Sequence, residues 1–140
     1  MQPDDVLHNK CATIERCIQR IHEEYAACPE LDNFTHVDAL VLNIERACQS
    51  TIDMAMHVLA AEHIGIPQSS AGAFELLDKA GVISSELAKS LISMVGFRNI
   101  AIHDYQELDQ AVLLFIIRQG YKDLIAFCAH LGVRINDPYI

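Results

Sequence analysis

The residues with the clearest chemical capacity lie close together near position 100. Arg98 and Asn99 are followed by His103 and Tyr105, which brings a cation, an amide, an imidazole and a phenol together. On an α-helix Asn99 and His103 share one face because they are four residues apart, and Arg98 lies directly beside that face. A guanidinium presents a rigid fork of donors to phosphoryl oxygens, and an imidazole transfers protons near neutral pH. The set therefore suits chemistry on a phosphate group.

A purely structural interpretation of the same residues is also open. Arg98 can pair with Asp104 or Glu107 at the surface, and His103 can simply end a helix. Spacing alone favours this second interpretation, since an arginine and a histidine five residues apart are common.

The cysteines and histidines do not have the spacing of a metal site. The five cysteines include no CxxC pair, and His8 with Cys11 is the only Cys/His pair at a three-residue spacing. A zinc site would need two more ligands at recognisable spacing. We therefore predict no metal and no cofactor, and we expect the cysteines to be small buried hydrophobic residues. Surface or helix-face positions are expected for the scattered histidines: His22, His36, His57, His63 and His130.

Two long helices are predicted first along the chain. Apolar residues three and four apart predict the first helix over residues 5–27. The second should run over residues 35–63, with Thr35 as its N-cap, Asp38 as an acidic capping partner and Gly65 as its end.

Two further helices lead to the motif. The serines at 69 and 70 offer caps for a short third helix, which Gly81 ends. Ser84 or Ser85 begins a fourth helix that continues to His103 and carries the motif.

The last predicted helix begins at Asp109 as N-cap and ends before Gly132. Residues 112–117 are apolar on nearly every side, which indicates burial on more than one face. Either the helix is central within one monomer, or its surplus apolar face is a site of self-association. Because no segment alternates with a period of two, we predict an all-α fold, a bundle of four main helices plus one short helix.

Several segments resemble the HepT-like family of HEPN ribonuclease toxins. The motif Arg98-Asn99, four residues, His103, one residue, Tyr105 resembles that family's RNxxxxHxY signature. The resemblance covers about residues 6–131 of a single domain spanning 1–140, and the tail 133–140 is outside it. Three flanking segments also agree with the family pattern: Gly65-Ile66-Pro67, Gly81-Val82-Ile83 and Leu108-Asp109.

The resemblance implies a HEPN-like bundle that forms a two-fold homodimer and acts as a metal-independent endoribonuclease. Carried over, Arg98 stabilises charge on the phosphorane, His103 is a general base or acid, and Asn99 positions RNA or His103. Such enzymes are the toxins of type II toxin–antitoxin pairs. The implied partner is an MNT-type minimal nucleotidyltransferase antitoxin, which would attach AMP to Tyr105. The implied substrate is RNA, possible classes being tRNA and mRNA.

The charge of the protein bears on the competing function. The 140 residues carry a net charge of −9, which argues against a non-specific nucleic-acid binder and favours a non-catalytic substrate-binding module of a nucleotidyltransferase. Residues 1–65 hold 4 basic and 11 acidic side chains, whereas residues 66–140 hold 6 and 8. The acidic load thus lies away from the motif in sequence. No apolar run is long enough to span a membrane, and we expect a cytoplasmic location.

Overall fold

The structure, a computed structural model, describes residues 2–103 and 110–139, and for residues 100–103 it describes the backbone alone. These residues form α-helices with no strand among them, as the sequence predicts. The helices follow one another as α1 (Asp5–Ala27), α2 (Phe34–Ala61), α3 (Ser70–Lys79), α4 (Ser85–His103) and α5 (Gln110–Phe115), then a π-helical turn (Ile116–Gly120) and α6 (Tyr121–His130).

Helices α1 and α2 form an antiparallel pair. Lys10 near the start of α1 forms an ion pair with Asp53 near the end of α2, at 3.1 Å. At the other end of the pair, His36 bonds Glu24. Helix α1 has the bounds predicted from its apolar spacing, and its inward face is completely apolar apart from His22.

The ends of α2 differ from the prediction. Asn33, not Thr35, is the N-cap, because its side-chain oxygen accepts from the backbone N–H of Thr35 at 3.0 Å. The helix ends at Ala61, before Gly65 is reached. His63 takes the left-handed conformation with φ of 53°, and the N–H of Ile64 bonds the carbonyl of Leu59, which closes the helix without a glycine.

The predicted caps of α3 and α4 are confirmed. Ser69 accepts from the N–H of Gly72, and Ser84 accepts from the N–H of Leu87. Gly81 follows α3 with φ of 77°, a conformation in which a side chain would be strained. The predicted N-cap at Asp109 is outside the described residues.

The backbone hydrogen bonds of the last helix change their spacing at the π-helical turn. There the N–H of Tyr121 bonds the carbonyl of Ile116, five residues back. The neighbouring carbonyl of Ile117 instead accepts from Nε2 of His22 on α1, at 3.3 Å. His22 is buried on the inward face of α1, so of the two predicted kinds of position, surface or helix face, it occupies the second.

One apolar core holds these helices together. All five cysteines are free and buried within it or at its margin, as predicted: Cys11, Cys17, Cys28, Cys48 and Cys128. None of the described helices is long and apolar enough to cross a lipid bilayer.

Candidate ribonuclease site

Arg98, Asn99 and the backbone of His103 lie on the second half of α4, which packs beside α2. The thiol of Cys48 on α2 approaches the carbonyl of Met94 on α4 at 3.8 Å. Met94, Val95 and Phe97 are buried, and this anchors the helix one turn before the motif. A helix held so firmly presents the residues that follow at fixed angles.

Arg98 is half-buried and Asn99 is exposed. The Nη1 atom of Arg98 donates to Oδ1 of Asn99 over 3.4 Å, a long bond that leaves most of the guanidinium donors for another acceptor. No carboxylate among the described residues lies within 4.0 Å of Arg98, although Asp104 and Glu107, its predicted surface partners, are outside that part of the chain.

The half-buried Arg98 also acts electrostatically on a buried thiol of α2. Burial raises the pKa of the Cys48 thiol to about 12, and the nearby Arg98 guanidinium opposes that rise. Arg98 is therefore a cation at the edge of the core, where the surroundings screen its charge less than bulk water would.

His103 is the last residue of α4, so its backbone is helical and lies one turn beyond Asn99 on the same face. Its side chain is outside what the structure describes, and so is the whole of Tyr105. The structure thus brings together Arg98, Asn99 and the backbone of His103, while the predicted role of each stays a prediction.

An apolar groove of about 200 Å³ borders the motif, between α4 and the last helix. Phe97 lines it directly before Arg98, and Val112 and Phe115 line it from α5. Val112 is 43% exposed and Phe115 is 59% exposed. The apolar run that was predicted to be buried on several faces therefore leaves one apolar face in water beside the motif.

A carboxyl group that sequence reasoning missed also lines this groove. Asp123 of α6 is half-buried, and burial raises the pKa of its carboxyl, although a hydrogen bond from Ser90 opposes the rise. A single acidic residue in an apolar helix was the only sequence signal, and it does not indicate which helix Asp123 faces.

His8 and Cys11 do not converge on a common site. His8 is exposed whereas Cys11 is fully buried, so their side chains face different surroundings. Within residues 2–103 and 110–139, no three Cys, His, Asp or Glu side chains converge as metal ligands would.

A helical bundle with an arginine and a histidine near the end of its fourth helix is the arrangement expected for the HEPN type of small helical ribonuclease. The family described as "Ribonuclease HepT-like" matches residues 10–131, and the chain belongs to that family. The predicted identity as a HepT-like ribonuclease is therefore confirmed at the level of the family.

Known relatives agree over nearly the whole chain. The mRNA nuclease HepT of Shewanella oneidensis (strain MR-1) is 40% identical over 125 residues, which are 89% of this chain and 94% of that protein. A crystal structure of a toxin–antitoxin with AMP-PNP has 38% identity and a TM-score of 0.88, covering 91% of this chain and 98% of that one. A tri-AMPylated HEPN toxin of Shewanella oneidensis in complex with an MNT antitoxin has the same identity and TM-score, covering 92% and 98%.

Proposed function

We propose that this protein is the endoribonuclease toxin of a type II toxin–antitoxin pair, active in the cytoplasm on messenger or transfer RNA. The observation that carries the proposal is the cation of Arg98 beside Asn99, one helical turn before His103, in a chain 40% identical to an mRNA nuclease. A fixed cation beside a residue able to transfer protons is the minimum that cleavage of a phosphodiester requires.

The proposed reaction uses the RNA 2′-hydroxyl as nucleophile. His103 accepts the 2′-hydroxyl proton as that oxygen attacks the adjacent phosphorus. The bond from phosphorus to the 5′-oxygen breaks, and the leaving oxygen takes a proton from a general acid. The products are a 2′,3′-cyclic phosphate and a 5′-hydroxyl end. Arg98 stabilises the charge that builds on the phosphorane, and Asn99 orients RNA or the imidazole. Because proton transfer and a guanidinium supply the chemistry, the proposal is metal-independent.

A second protomer would supply the general acid. One chain holds a single histidine in the motif, whereas the reaction uses both a base and an acid. A two-fold dimer places two copies of the motif at one cleft. The exposed apolar face of Val112 and Phe115 supports this arrangement, because it lies against the motif and burying it would stabilise association.

The catalytic roles can be tested with matched variants. His103→Ala should reduce the rate of RNA cleavage by about 10²- to 10⁴-fold, the usual contribution of a positioned proton-transfer group. Arg98→Ala should lose activity while Arg134→Ala, which removes an exposed cation of the tail, should keep it. Full activity should persist in EDTA. Undiminished cleavage by folded His103→Ala protein would show that the assignment is wrong.

The dimer has its own test. Phe115→Asp should shift the protein toward monomer in analytical ultracentrifugation and lower its activity in parallel. Phe34→Asp makes the same change at a phenylalanine that is 81% exposed at the start of α2, and it should alter neither property. A fully active wild-type monomer would contradict the composite cleft.

The proposed partner is an MNT-type nucleotidyltransferase antitoxin that transfers AMP to Tyr105. The support is the solved complex of a tri-AMPylated HEPN toxin with an MNT antitoxin. A phosphodiester-linked AMP at Tyr105 would put an anion near Arg98 and obstruct RNA. Incubation with the antitoxin and ATP should increase the mass of the toxin by one or more AMP groups, and Tyr105→Phe should remove at least one. Equal modification of Tyr105→Phe would reject this site.

The net charge of −9 favours a second candidate, a non-catalytic partner module of a nucleotidyltransferase. In that case, expression without the antitoxin should leave growth and cellular RNA intact. Toxicity that depends on Arg98 and His103 would decide for the nuclease.

A further inference from the structure

A second concave surface lies on the outer side of the α1–α2 pair. It is a groove of about 390 Å³, and Arg16 and Arg20 line it from α1 while Arg46 and Asn43 line it from α2. Three of the four basic residues within residues 1–65 thus converge on one groove, in the half of the chain that is richest in acid. We call it the arginine groove.

Few carboxylates offset the positive charges of the arginine groove. Arg46 has no carboxylate within 4.0 Å among the described residues, and Arg16 donates to the hydroxyl of Thr13 at 3.3 Å. Arg20 approaches Glu23 at 4.0 Å and Glu24 at 3.6 Å, and its own side chain is 57% exposed. The pair with Glu23 is exposed on both sides and contributes little to stability, whereas the Glu24 side chain is only 17% exposed. Arg16 and Arg46 therefore carry the less compensated charges of the groove.

A buried thiol also lines the arginine groove. Cys17 is buried there, and while burial raises the pKa of its thiol, Arg46 and Arg16 both oppose that rise. Helix α2 contacts both α1, which carries Arg16 and Arg20, and α4, which carries Arg98. The arginine groove and Arg98 therefore belong to neighbouring helices of the bundle.

We propose that the arginine groove binds the phosphate backbone of the RNA substrate, away from the phosphate that is cut. This inference rests on the proposed function and extends it. Arg16 and Arg20 are one helical turn apart, with roughly 5–6 Å between their Cβ atoms, a spacing similar to that of successive phosphates along a strand. Arginine also matches the geometry of phosphate oxygens better than lysine does, and no lysine lines the groove.

The inference explains how a strongly acidic protein can hold RNA. A net charge of −9 repels a polyanion at long range, so binding needs a local surface of opposite sign. Three guanidiniums that line one groove complement the charge of a phosphate backbone. The nuclease activity proposed above supplies such a polyanion, so RNA is the proposed occupant.

The test compares two variants with equal loss of charge. The groove variant carries Arg16→Gln, Arg20→Gln and Arg46→Gln. The groove variant and the control variant, which is described below, are each made with and without His103→Ala. The His103→Ala substitution keeps RNA uncut while binding is measured. Affinity for a fluorescein-labelled single-stranded RNA is read by anisotropy over a range of salt concentrations. Circular dichroism and thermal midpoints establish that each variant is folded.

The control variant removes three exposed cations outside the groove through Lys79→Gln, Lys89→Gln and Arg134→Gln. The groove variant should bind roughly tenfold or more weakly than the control at low salt, and its plot of log affinity against log salt should be shallower by about 2, since each phosphate contact on a single strand contributes about 0.7. Cleavage of long RNA should show a raised KM with kcat nearly unchanged.

The outcomes separate this inference from the proposed function. Equal RNA affinity and equal salt dependence in the two variants would contradict RNA binding at the arginine groove, even if wild-type protein cuts RNA. Loss of antitoxin capture with RNA binding intact would also overturn it, in favour of a protein-binding surface. If wild-type protein cuts no RNA but the groove variant shows the expected shallower plot of log affinity against log salt, the proposed function is wrong and RNA binding at the arginine groove is supported.

Discussion

His22 should make the stability of the protein fall in acid. Its imidazole is buried, its Nε2 donates to the carbonyl of Ile117, and its Nδ1 has no hydrogen-bond partner among the described residues. Tyr139 stacks on the ring at 3.7 Å and Tyr121 meets it edge-on at 4.5 Å. A second proton on this ring would be placed among apolar and aromatic groups.

The direction follows from the pKa. Burial lowers the pKa of His22 below its ordinary value of 6.5, while the bond to Ile117 and the nearby Asp137 carboxylate act in the opposite direction. Below about pH 6.5 the unfolded chain binds a proton at His22, whereas the folded protein leaves His22 neutral until the pH is lower. The free energy of unfolding should then decrease by at most about 1.4 kcal/mol per pH unit, until the folded-state pKa is reached.

Two substitutions separate the titration of His22 from its hydrogen bond to the carbonyl of Ile117. His22→Leu removes both the titrating group and the donor to Ile117, and at pH 8 it should cost about 1–3 kcal/mol because a buried carbonyl loses its partner. His22→Gln retains an N–H that can reach the carbonyl, so it should cost less at pH 8. Neither variant should show the contribution of His22 to the acid slope.

Urea unfolding followed by circular dichroism, from pH 8 down to pH 5, measures these quantities. The informative number is the difference in unfolding free energy between wild type and variant at each pH, since the other histidines are common to both. If that difference stays constant across the range, His22 does not titrate as argued and the reasoning is refuted.

Three further predictions concern single positions. Asn33→Ala should lower the unfolding free energy by about 1 kcal/mol as the cap of α2 is lost, whereas Thr35→Ala should have little effect. Gly96→Ala should stabilise α4 by about 0.5–1 kcal/mol, because a Cβ there meets nothing within 4 Å, and Gly81→Ala should destabilise because of its φ of 77°. Burial raises the pKa of Tyr121 to about 12, so stability should fall from pH 10 toward pH 12, and Tyr121→Phe should reduce that loss.

Thermal unfolding measures the effects at Asn33 and Gly96, and alkaline unfolding measures the effect at Tyr121. Equal losses at Asn33 and Thr35 in thermal unfolding would contradict the cap assignment. A destabilised Gly96→Ala protein would indicate that α4 approaches another surface at that point. Alkaline unfolding that is identical in Tyr121→Phe and wild type would remove Tyr121 as the responsible group.

The helices could be predicted because their apolar spacing and capping residues act locally. Serine caps at Ser69 and Ser84 were correctly assigned, since each bonds an N–H three residues on. The start of α2 was misplaced because Asn33 and Thr35 are both good caps, and only the backbone conformation decides between them. At the other end of α2, His63 tolerates the left-handed region, so no glycine was needed.

The features that depend on tertiary packing could not be predicted. The π-helical turn has no sequence signature, and its carbonyl at Ile117 is satisfied by His22, 95 residues away. The arginine groove combines Arg16 and Arg46 only because α1 and α2 pair in one particular register. The motif could be predicted from spacing and resemblance, whereas the exposure of Phe115 beside it depends on how the last helix packs against α4.

The burial of the cysteines also provides a set of built-in reporters of motion. Cys11 and Cys17 lie on α1, Cys48 on α2 and Cys128 on α6, so each thiol can be alkylated only when its own part of the core opens. Pulsed labelling followed by peptide mass spectrometry would rank these openings without any engineered probe. Equal labelling rates at the four sites would mean that the bundle opens as one cooperative unit, and a faster Cys48 would locate the first opening beside the motif helix.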